Sequence, residues 1–431
     1  MVNVVKYGST SIRGLDDLDR IAKRVKDFNE PTVLVPTALE DTTDRIANAL
    51  YFGDNNARQV FACYDGIVEQ VSSPELTKRF DAFCRDFDLY LDAYLQTKSN
   101  IINELQLSAG DRLAAYLISV YLNQSGIDST LVDVTDKDFP LRVTEDRGSL
   151  SVDMNHVDAD NYFKSKNGAL VLPGYVGASK SGAVRTLGRG GGDTAAFVYA
   201  YMFGANSVWV VAEDALTTAP IGNSRLVNEI DLDEAWAAGF FGARLRTYRS
   251  IEPLGRFFGE HPQAQVFITD KMMNSRKTRI NPAAREQTVR FIAARPVARY
   301  GIKGDWRGLV NELYRNSSVD WFLLGGMPGE MGIGLPERGL ELGKAFVRNA
   351  ETRGDLEVAY EDEVAYIGVV GSGMSGKEGI ANRAYRSLKN INISRTYDPD
   401  VSSPNSKFIG IMVDSKHSQE AVAAIHQEFF R

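Results

Sequence analysis

The chain has 431 residues, 44% hydrophobic, 24% charged and 10% aromatic, and 49 Lys and Arg against 56 Asp and Glu leave a formal charge of −7. These figures exclude disorder, which needs few apolar and aromatic residues, and argue against nucleic acid or an anionic membrane as partner, since both want a basic face. Cys63 and Cys84 are too few for a disulfide scaffold or a cysteine-based zinc site. No apolar run approaches the ~18 residues of a membrane span, and Met1–Tyr7 runs straight into a strand rather than a signal peptide. The expectation is a cytoplasmic chain of about three domains.

Val2–Lys6 reads as an apolar strand ending in the turn Tyr7–Ser11, and Leu15, Leu18, Ile21, Ala22 and Val25 then fall at helical spacing. Pro31–Val35 is a second strand, followed by the polar turn Thr37–Thr43 and a helix from about Asp44. This strand–turn–helix rhythm is that of an α/β protein. From Ala57 to Leu105 no strand is visible. Leu76, Phe80, Phe83, Phe87, Leu91 and Leu95 instead mark a helical excursion with an apolar core stripe. Strands resume at Ser129–Val134, Ala169–Pro173, Val208–Ala212 and Gln265–Ile268, with a helix at Asp233–Phe241 and a domain end near Ile280. Beyond Thr288 a β-α-β-β-α pattern occurs twice. Its first strands are Val289–Ala293 and Val358–Val370, and its next strands Val319–Leu324 with Ile391–Thr396, then Met331–Leu335 with Phe408–Val413. Its second helices are Leu340–Asn349 and Gln419–Phe429.

The strongest local signal is Thr186–Thr194, just before a helical stretch Ala195–Phe203. Gly190, Gly191 and Gly192 leave backbone N–H groups free to approach an anion, and the helix N-terminus adds partial positive charge. Arg189 suits a bidentate carboxylate or phosphate contact, and Asp193 stands where an N-cap is expected. An ordinary glycine turn with an aspartate cap is the plain alternative; the flanking Arg and Asp, after the Gly-containing strand Leu172–Ala178, favour an anion site. Lys6-Tyr7-Gly8-Ser9-Thr10-Ser11 repeats the arrangement at the first strand, with a lysine placed to neutralise a transferring phosphoryl group. It is no Walker A sequence. His156, His261, His417 and His426 are scattered singly and read as surface or core residues, so no metal site is assigned. Glu361-Asp362-Glu363 reads as a solvated turn.

On these residues the chain resembles the aspartate kinases. The matching segments are Lys6–Ser11, Thr37–Asp44, Gly110–Ala115, Pro173–Ala178, Leu187–Asp193, Phe241–Arg244 and Val369–Ile393. The family's Lys-Phe-Gly-Gly-Thr-Ser appears as Lys6–Ser11, and its Leu-Gly-Arg-Gly-Gly-Ser-Asp as Leu187–Asp193. The resemblance implies an α/β fold: an amino-acid-kinase domain of three-layer αβα type (1–282), then tandem ferredoxin-like βαββαβ ACT domains (283–357 and 358–431). It further implies phosphoryl transfer from ATP, with Mg2+, to the side-chain carboxylate of L-aspartate or another acidic amino acid. Lys6 and Asp193 would be catalytic. Thr37, Thr43 and Tyr175 would line the amino-acid pocket, Asp111 would face the substrate ammonium, and Arg189 would hold its α-carboxylate. The nucleotide would meet Lys6, Gly8, Ser9, Thr10, Gly190, Gly191, Gly192, Glu213, Asp214, Leu216, Thr217 and Arg244. An amino-acid effector at the ACT domains and a homodimer are also implied, the effector turn of the first being Gly301–Asp305.

The chain departs from the family pattern at defined places. Thr37 stands for a serine, Glu40 for a glycine, Asp111 for a glutamate and Gly192 for a serine. The nucleotide run Ala212–Ile221 is two residues short, with Thr217 in place of a tyrosine and Ile221 in place of an arginine; Arg244 replaces a lysine. Two expectations follow: a working aspartate kinase, or a re-specialised paralogue with a regulatory role or another acidic substrate.

Overall fold

The structure, a computed structural model, describes residues 2–53, 56–146, 149–166, 168–243, 250–283, 288–315, 319–324, 329–337, 339–374, 377–397 and 407–431. The chain forms two compact units, Met1–Asp214 with Arg249–Lys277, and Ala215–Tyr248 with Thr278–Arg431. Among the described residues no helix is long and apolar enough to cross a membrane.

The first unit is built on parallel strands in the order Gln265–Thr269, Ser207–Val211, Asn3–Tyr7, Thr32–Pro36, Ala169–Val171, Ser129–Leu131. Parallel strands covered on both faces are apolar at every position rather than at alternate ones; Asn3–Tyr7 and Thr32–Pro36 are accordingly buried throughout. The helix Gly191–Met202 lies against Asn3–Tyr7 and its two neighbours, and Ala109–Gln124 lies against Thr32–Pro36, Ala169–Val171 and Ser129–Leu131. Both are apolar nearly all round, as buried helices are. The excursion is entirely helical, at Ala57–Val60, Ala62–Val71, Pro74–Thr97 and Asn100–Leu107. Phe80, Phe87 and Leu91 fill its core, while Phe83 and Leu95 are only half-buried.

Sequence periodicity misses a second sheet in this unit, ordered Ser149–Val152, Arg142–Asp146, Val176–Ser179, Val184–Thr186. Its strands are three to five residues long and mix polar with apolar residues, too short for a period-two signal to emerge. The apparent strand Leu172–Ala178 is in fact broken at Pro173-Gly174-Tyr175, where Tyr175 adopts φ 67°.

The second unit carries an antiparallel sheet ordered Phe322–Leu324, Met331–Pro336, Phe291–Gly304, Leu356–Val370, Phe408–Asp414, Ile393–Tyr397. The duplicated pattern is explicit here. Each copy contributes three strands, and the two copies meet through their first strands, so each copy's first strand fills the outer place beside the other's. The first of these strands runs fourteen residues, well past the Val289–Ala293 read from sequence. Pro296 is tolerated because pairing with Met331–Pro336 starts only at Val297. Glu361-Asp362-Glu363, read as a turn, lies inside the strand Leu356–Val370. Arg299 grips Asp362 through Nε–H and Nη2–H, and the Tyr300 hydroxyl donates to Glu361 at 2.6 Å, so cross-strand partners hold these two acids in the sheet. The helix Leu232–Phe240 packs on this sheet: Phe241 meets Tyr366 and Phe408 at 5.0 and 5.3 Å between ring centroids. Gly368 has to be glycine, since a Cβ there would lie 2.4 Å from the Phe241 ring.

Candidate active site

Lys6 is the penultimate residue of the central parallel strand, and its side chain turns into the interior instead of reaching solvent. Its Nζ lies 2.8 Å from Asp193 Oδ1, with the two side chains 5% and 0% exposed. Asp193 is the third residue of the helix Gly191–Met202, whose N-cap is Gly190 at φ 75° with no side-chain cap. The aspartate is therefore not the cap that the sequence suggests. It sits in the first turn, where the positive helix end favours a carboxylate, and its charge is spent on the lysine.

The same placement occurs twice more. Asp44 is the third residue of Thr42–Phe52, and Asp111 the third of Ala109–Gln124. Three helix N-termini thus each present an aspartate at one position in their first turn, with three different outcomes. Asp44 pairs with Arg189. Asp111 is fully buried, and its Oδ1 has no hydrogen-bond partner among the described residues. Burial pushes the Asp111 carboxyl well above the ordinary aspartate range; the N–H groups of Ala38 and of Asp111 itself, and the Lys6 ammonium, act against that rise without cancelling it.

The turn after Lys6 is fixed by backbone bonds. Gly8 N–H and Ser11 Oγ–H both donate to Val211 O, at 3.2 and 3.3 Å, and Ser9 O accepts from Glu40 N–H at 2.7 Å. Ser9 and Thr10 are half-buried on this turn. A Cβ on Gly8 would stand 3.3 Å from Lys6 Nζ and 3.2 Å from Val211 O, so the glycine keeps the space beside the ammonium clear. Gly191 is held as closely, since a Cβ there would lie 3.0 Å from the Tyr175 ring and 2.8 Å from Leu187. Thr37 donates its hydroxyl hydrogen to Tyr7 O at 3.1 Å. Tyr64 ties the following loop to the Asp111 helix, accepting from Leu39 N–H at 3.0 Å and donating to Gly110 O at 2.8 Å. Glu40 takes φ 50°, a left-handed conformation that suits glycine.

Lys6 thus has Gly8, Gly192 and Asp193 close to it, with Thr37 against Gly192, and Asp111 lies within the field of Lys6. Arg189 does not stand ready for a ligand carboxylate, because Asp44 holds it. Thr43 is half-buried at the start of its helix. Glu213 is exposed and lies 3.7 Å from Arg13. Asp214 receives a bidentate contact from Arg276, at 3.0 and 2.7 Å. Leu216 and Thr217 belong to the second unit: Leu216 N–H donates to Thr278 Oγ1 at 3.0 Å, and Thr217 Oγ1 to Ala219 O at 2.9 Å. Arg244 lies outside the described residues. Arg276 is a cation that the sequence does not single out; it follows the irregular run 270–275, which mixes charged, polar and methionine residues and carries no period to point at it.

This arrangement suits an oxyanion-rich ligand. A buried ammonium, glycine-lined approaches and the first turn of a twelve-residue helix converge on the carboxyl ends of parallel strands, where α/β sheets place their ligands. Nucleotide phosphates fit such a cradle. Among the described residues no group of three His, Cys, Asp or Glu is placed to hold a metal ion.

Comparison with known proteins gives a consistent result. Residues 1–262 match the amino acid kinase family. Over 99% of its length the chain is 21% identical to an aspartokinase from Pseudomonas aeruginosa, covering 97% of that protein. It is 22% identical to one from Geobacillus stearothermophilus, covering 96% of it. The fold superposes along the whole of both chains on Escherichia coli aspartokinase III in complex with aspartate and ADP (R-state), at a TM-score of 0.76 and 18% identity. The same enzyme in complex with lysine and aspartate (T-state) gives 0.72 and 17%.

Proposed function

The chain belongs to the amino acid kinase family, and we propose that it transfers the γ-phosphoryl group of ATP to the side-chain carboxylate of L-aspartate, giving 4-phospho-L-aspartate. The observation that carries this reading is the buried Lys6–Asp193 pair beside a glycine-lined approach. The acceptor carboxylate attacks the γ-phosphorus as the bond to the bridging oxygen of ADP breaks. A carboxylate with an ordinary pKa near ~4 is already an anion at neutral pH, so it needs no general base. The setting agrees with that: Lys6 has a carboxylate beside it rather than a histidine.

Within this reading Lys6 donates N–H groups to the phosphoryl oxygens as their charge is redistributed, and Asp193 keeps the ammonium aimed. Phosphoryl transfer asks for little more than positioning and charge stabilisation. Mg2+ arriving with the nucleotide would neutralise phosphate oxygens, which supply most of its ligands, with Asp193 the carboxylate nearest to hand. Arg189 exchanges Asp44 for the substrate α-carboxylate. Asp111 accepts the substrate ammonium, giving up its proton as that charge arrives. The nucleotide contacts of this reading are Gly8, Ser9 and Thr10, with Glu213, Asp214, Leu216, Thr217 and Arg244.

A second reading, another acidic amino acid as acceptor, draws on the shortened reach of Asp111 and on the Glu40 carboxylate where relatives keep glycine. For regulation we favour two ACT domains, 283–357 and 358–431, after a catalytic domain of 1–282, in a homodimer. The aspartokinase III complex with lysine makes an amino acid the natural effector. The effector site falls to Gly301–Asp305 in this reading, which is the end of the strand Phe291–Gly304 and not the turn expected from sequence, because the Ser372 N–H of the matching segment donates to the buried Glu234 carboxylate at 2.9 Å. Hydroxamate trapping with a panel of acidic amino acids tests the proposal. Turnover with aspartate supports it, turnover with another acid alone selects the second reading, and ADP binding without turnover points to a regulatory paralogue.

A further inference from the structure

His426 lies on the buried face of the C-terminal helix Ser418–Phe429, among Ala421, Val422 and Ile425. A polar ring on an apolar face needs a hydrogen-bond partner. Its Nε2 lies 2.9 Å from Thr218 Oγ1, and the ring stacks on Phe430 at 4.9 Å. Thr218 belongs to a short hairpin, 216–227, closed by a Thr217–Leu226 bridge. Every hydrogen-bonding group of Thr218 is engaged. Its N–H donates to Arg225 O at 2.8 Å and its C=O accepts from Ile292 N–H at 2.8 Å, while its Oγ1 accepts from Arg225 N–H at 3.0 Å. The hydroxyl hydrogen is left for His426 Nε2. Burial and the nearby Arg225 hold the imidazole pKa below its ordinary value, which favours the neutral ring that this bond requires. Arg225 Nη2 adds a second tie to the same helix, donating to Phe430 O at 2.7 Å.

We propose that His426 is a positioning residue for the nucleotide: through Thr218 it fixes the hairpin that presents Leu216 and Thr217, so the last helix of the duplicated half sets nucleotide affinity. This rests on the reading that Leu216 and Thr217 meet the nucleotide. A histidine 208 residues from its partner in sequence is thereby part of the site's support.

Calorimetric titration of the full chain with MgADP, and separately with L-aspartate, tests it. His426→Phe keeps the volume and the stacking but removes the bond, and should weaken MgADP binding about tenfold, the scale of one half-made buried hydrogen bond. Aspartate affinity should stay within about twofold, the scatter of an uncoupled site. His426→Gln places a polar atom near the former Nε2 and should recover most of the loss. Thr218→Val should match His426→Phe, and the double variant should be no worse than either single one. Equal weakening towards both ligands, no weakening by His426→Phe and Thr218→Val, or no recovery with glutamine overturns the proposal. Thr217→Arg separates the causes of a null result. If it alters MgADP affinity while the His426 and Thr218 variants do not, only the positioning role fails; if all are silent, the hairpin does not meet the nucleotide and both readings fall.

Discussion

Thr37 and Gly192 share one volume. A Cβ on Gly192 would stand 2.2 Å from Thr37 Cγ2, a separation that no two carbon atoms tolerate without a bond. Thr37 cannot swing aside cheaply, since its hydroxyl is committed to Tyr7 O at 3.1 Å and its methyl also faces Gly174, where a Cβ would lie 3.0 Å away. Where the aspartate kinase pattern has two serines, this chain has a threonine and a glycine, and the methyl gained on one side occupies the room vacated on the other. The two departures are a single exchange.

That exchange makes a sharp prediction. Gly192→Ser alone should overpack the site, cost about 1–3 kcal/mol of stability, and lower turnover at least about a hundredfold by displacing the Lys6 stem, whose Cε lies 3.4 Å from the new Cβ. Thr37→Ser with Gly192→Ser should regain most of both losses. Thermal melts and initial rates on the three proteins decide the matter; a double variant as poor as the single one shows the positions to be uncoupled.

Lys6 and Asp193 should resist separation. Lys6→Ala should reduce kcat by about a thousandfold, in the range for a lost charge contact at a transferring group, while the chain still folds. It takes away the ammonium that the buried Asp193 carboxylate faces, so stability should fall by about 3–5 kcal/mol. Lys6→Ala/Asp193→Asn should recover stability but not turnover. Recovery of both would remove Lys6 from the chemistry.

Asp111 carries a pH signature. Its carboxyl is raised above the aspartate range by burial, so the neutral form persists to higher pH in the folded chain than in the unfolded one. The stability tied to that proton is fully present below the ordinary aspartate pKa and is lost as pH rises through the raised value. Asp111→Asn should therefore flatten the stability profile above that range and stabilise the ligand-free protein there. It should also weaken acceptor binding by about tenfold or more, through loss of the charge that meets the ammonium. Acceptor binding to the parent should release a proton at pH values below the raised pKa. Titrations in two buffers of different ionisation enthalpy read this directly, and an enthalpy independent of buffer would sink the role.

Much of the fold is legible in the amino-acid sequence, and what is hidden is hidden for physical reasons. The continuous apolar runs at Val2–Lys6 and Pro31–Val35 signal buried parallel strands, and the glycines around Arg189 signal close approach. The hairpin Arg142–Val152 gave no such pattern because its strands are short and half polar. Glu361–Glu363 misled because their partners, Arg299 and Tyr300, lie about sixty residues away. His426 reads as one more solitary histidine, since its partner Thr218 lies 208 residues away in sequence. Arg189 reads from sequence as a clamp for a ligand carboxylate, and a single chain position cannot disclose that Asp44 pairs with it in the fold.

Glu40 records a local cost. At φ 50° it occupies the left-handed region, where a side chain costs about 1 kcal/mol relative to glycine. Glu40→Gly should raise the unfolding free energy by about that amount. Measured acceptor KM should fall as well if the carboxylate repels an anionic substrate, and should stay unchanged if the Glu40 side chain points away from the bound acceptor.

The Asp44–Arg189 pair sets the cost of acceptor entry. Arg189 is mostly buried, with 12% of its side chain exposed, while Asp44 is 36% exposed, so water screens their attraction in part. An incoming α-carboxylate has to replace one carboxylate on the guanidinium by another, and only the difference between the two contacts appears as affinity. Asp44→Asn keeps the shape and removes the competing charge. Acceptor KM should then fall about twofold to fivefold, a magnitude typical of a part-screened ion pair, with kcat little changed because Asp44 touches no reacting atom in this scheme. Arg189→Lys should do the opposite, raising KM through loss of the planar two-pronged contact. An unchanged or higher KM in Asp44→Asn would mean that the aspartate orients Arg189 for the substrate instead of competing with it.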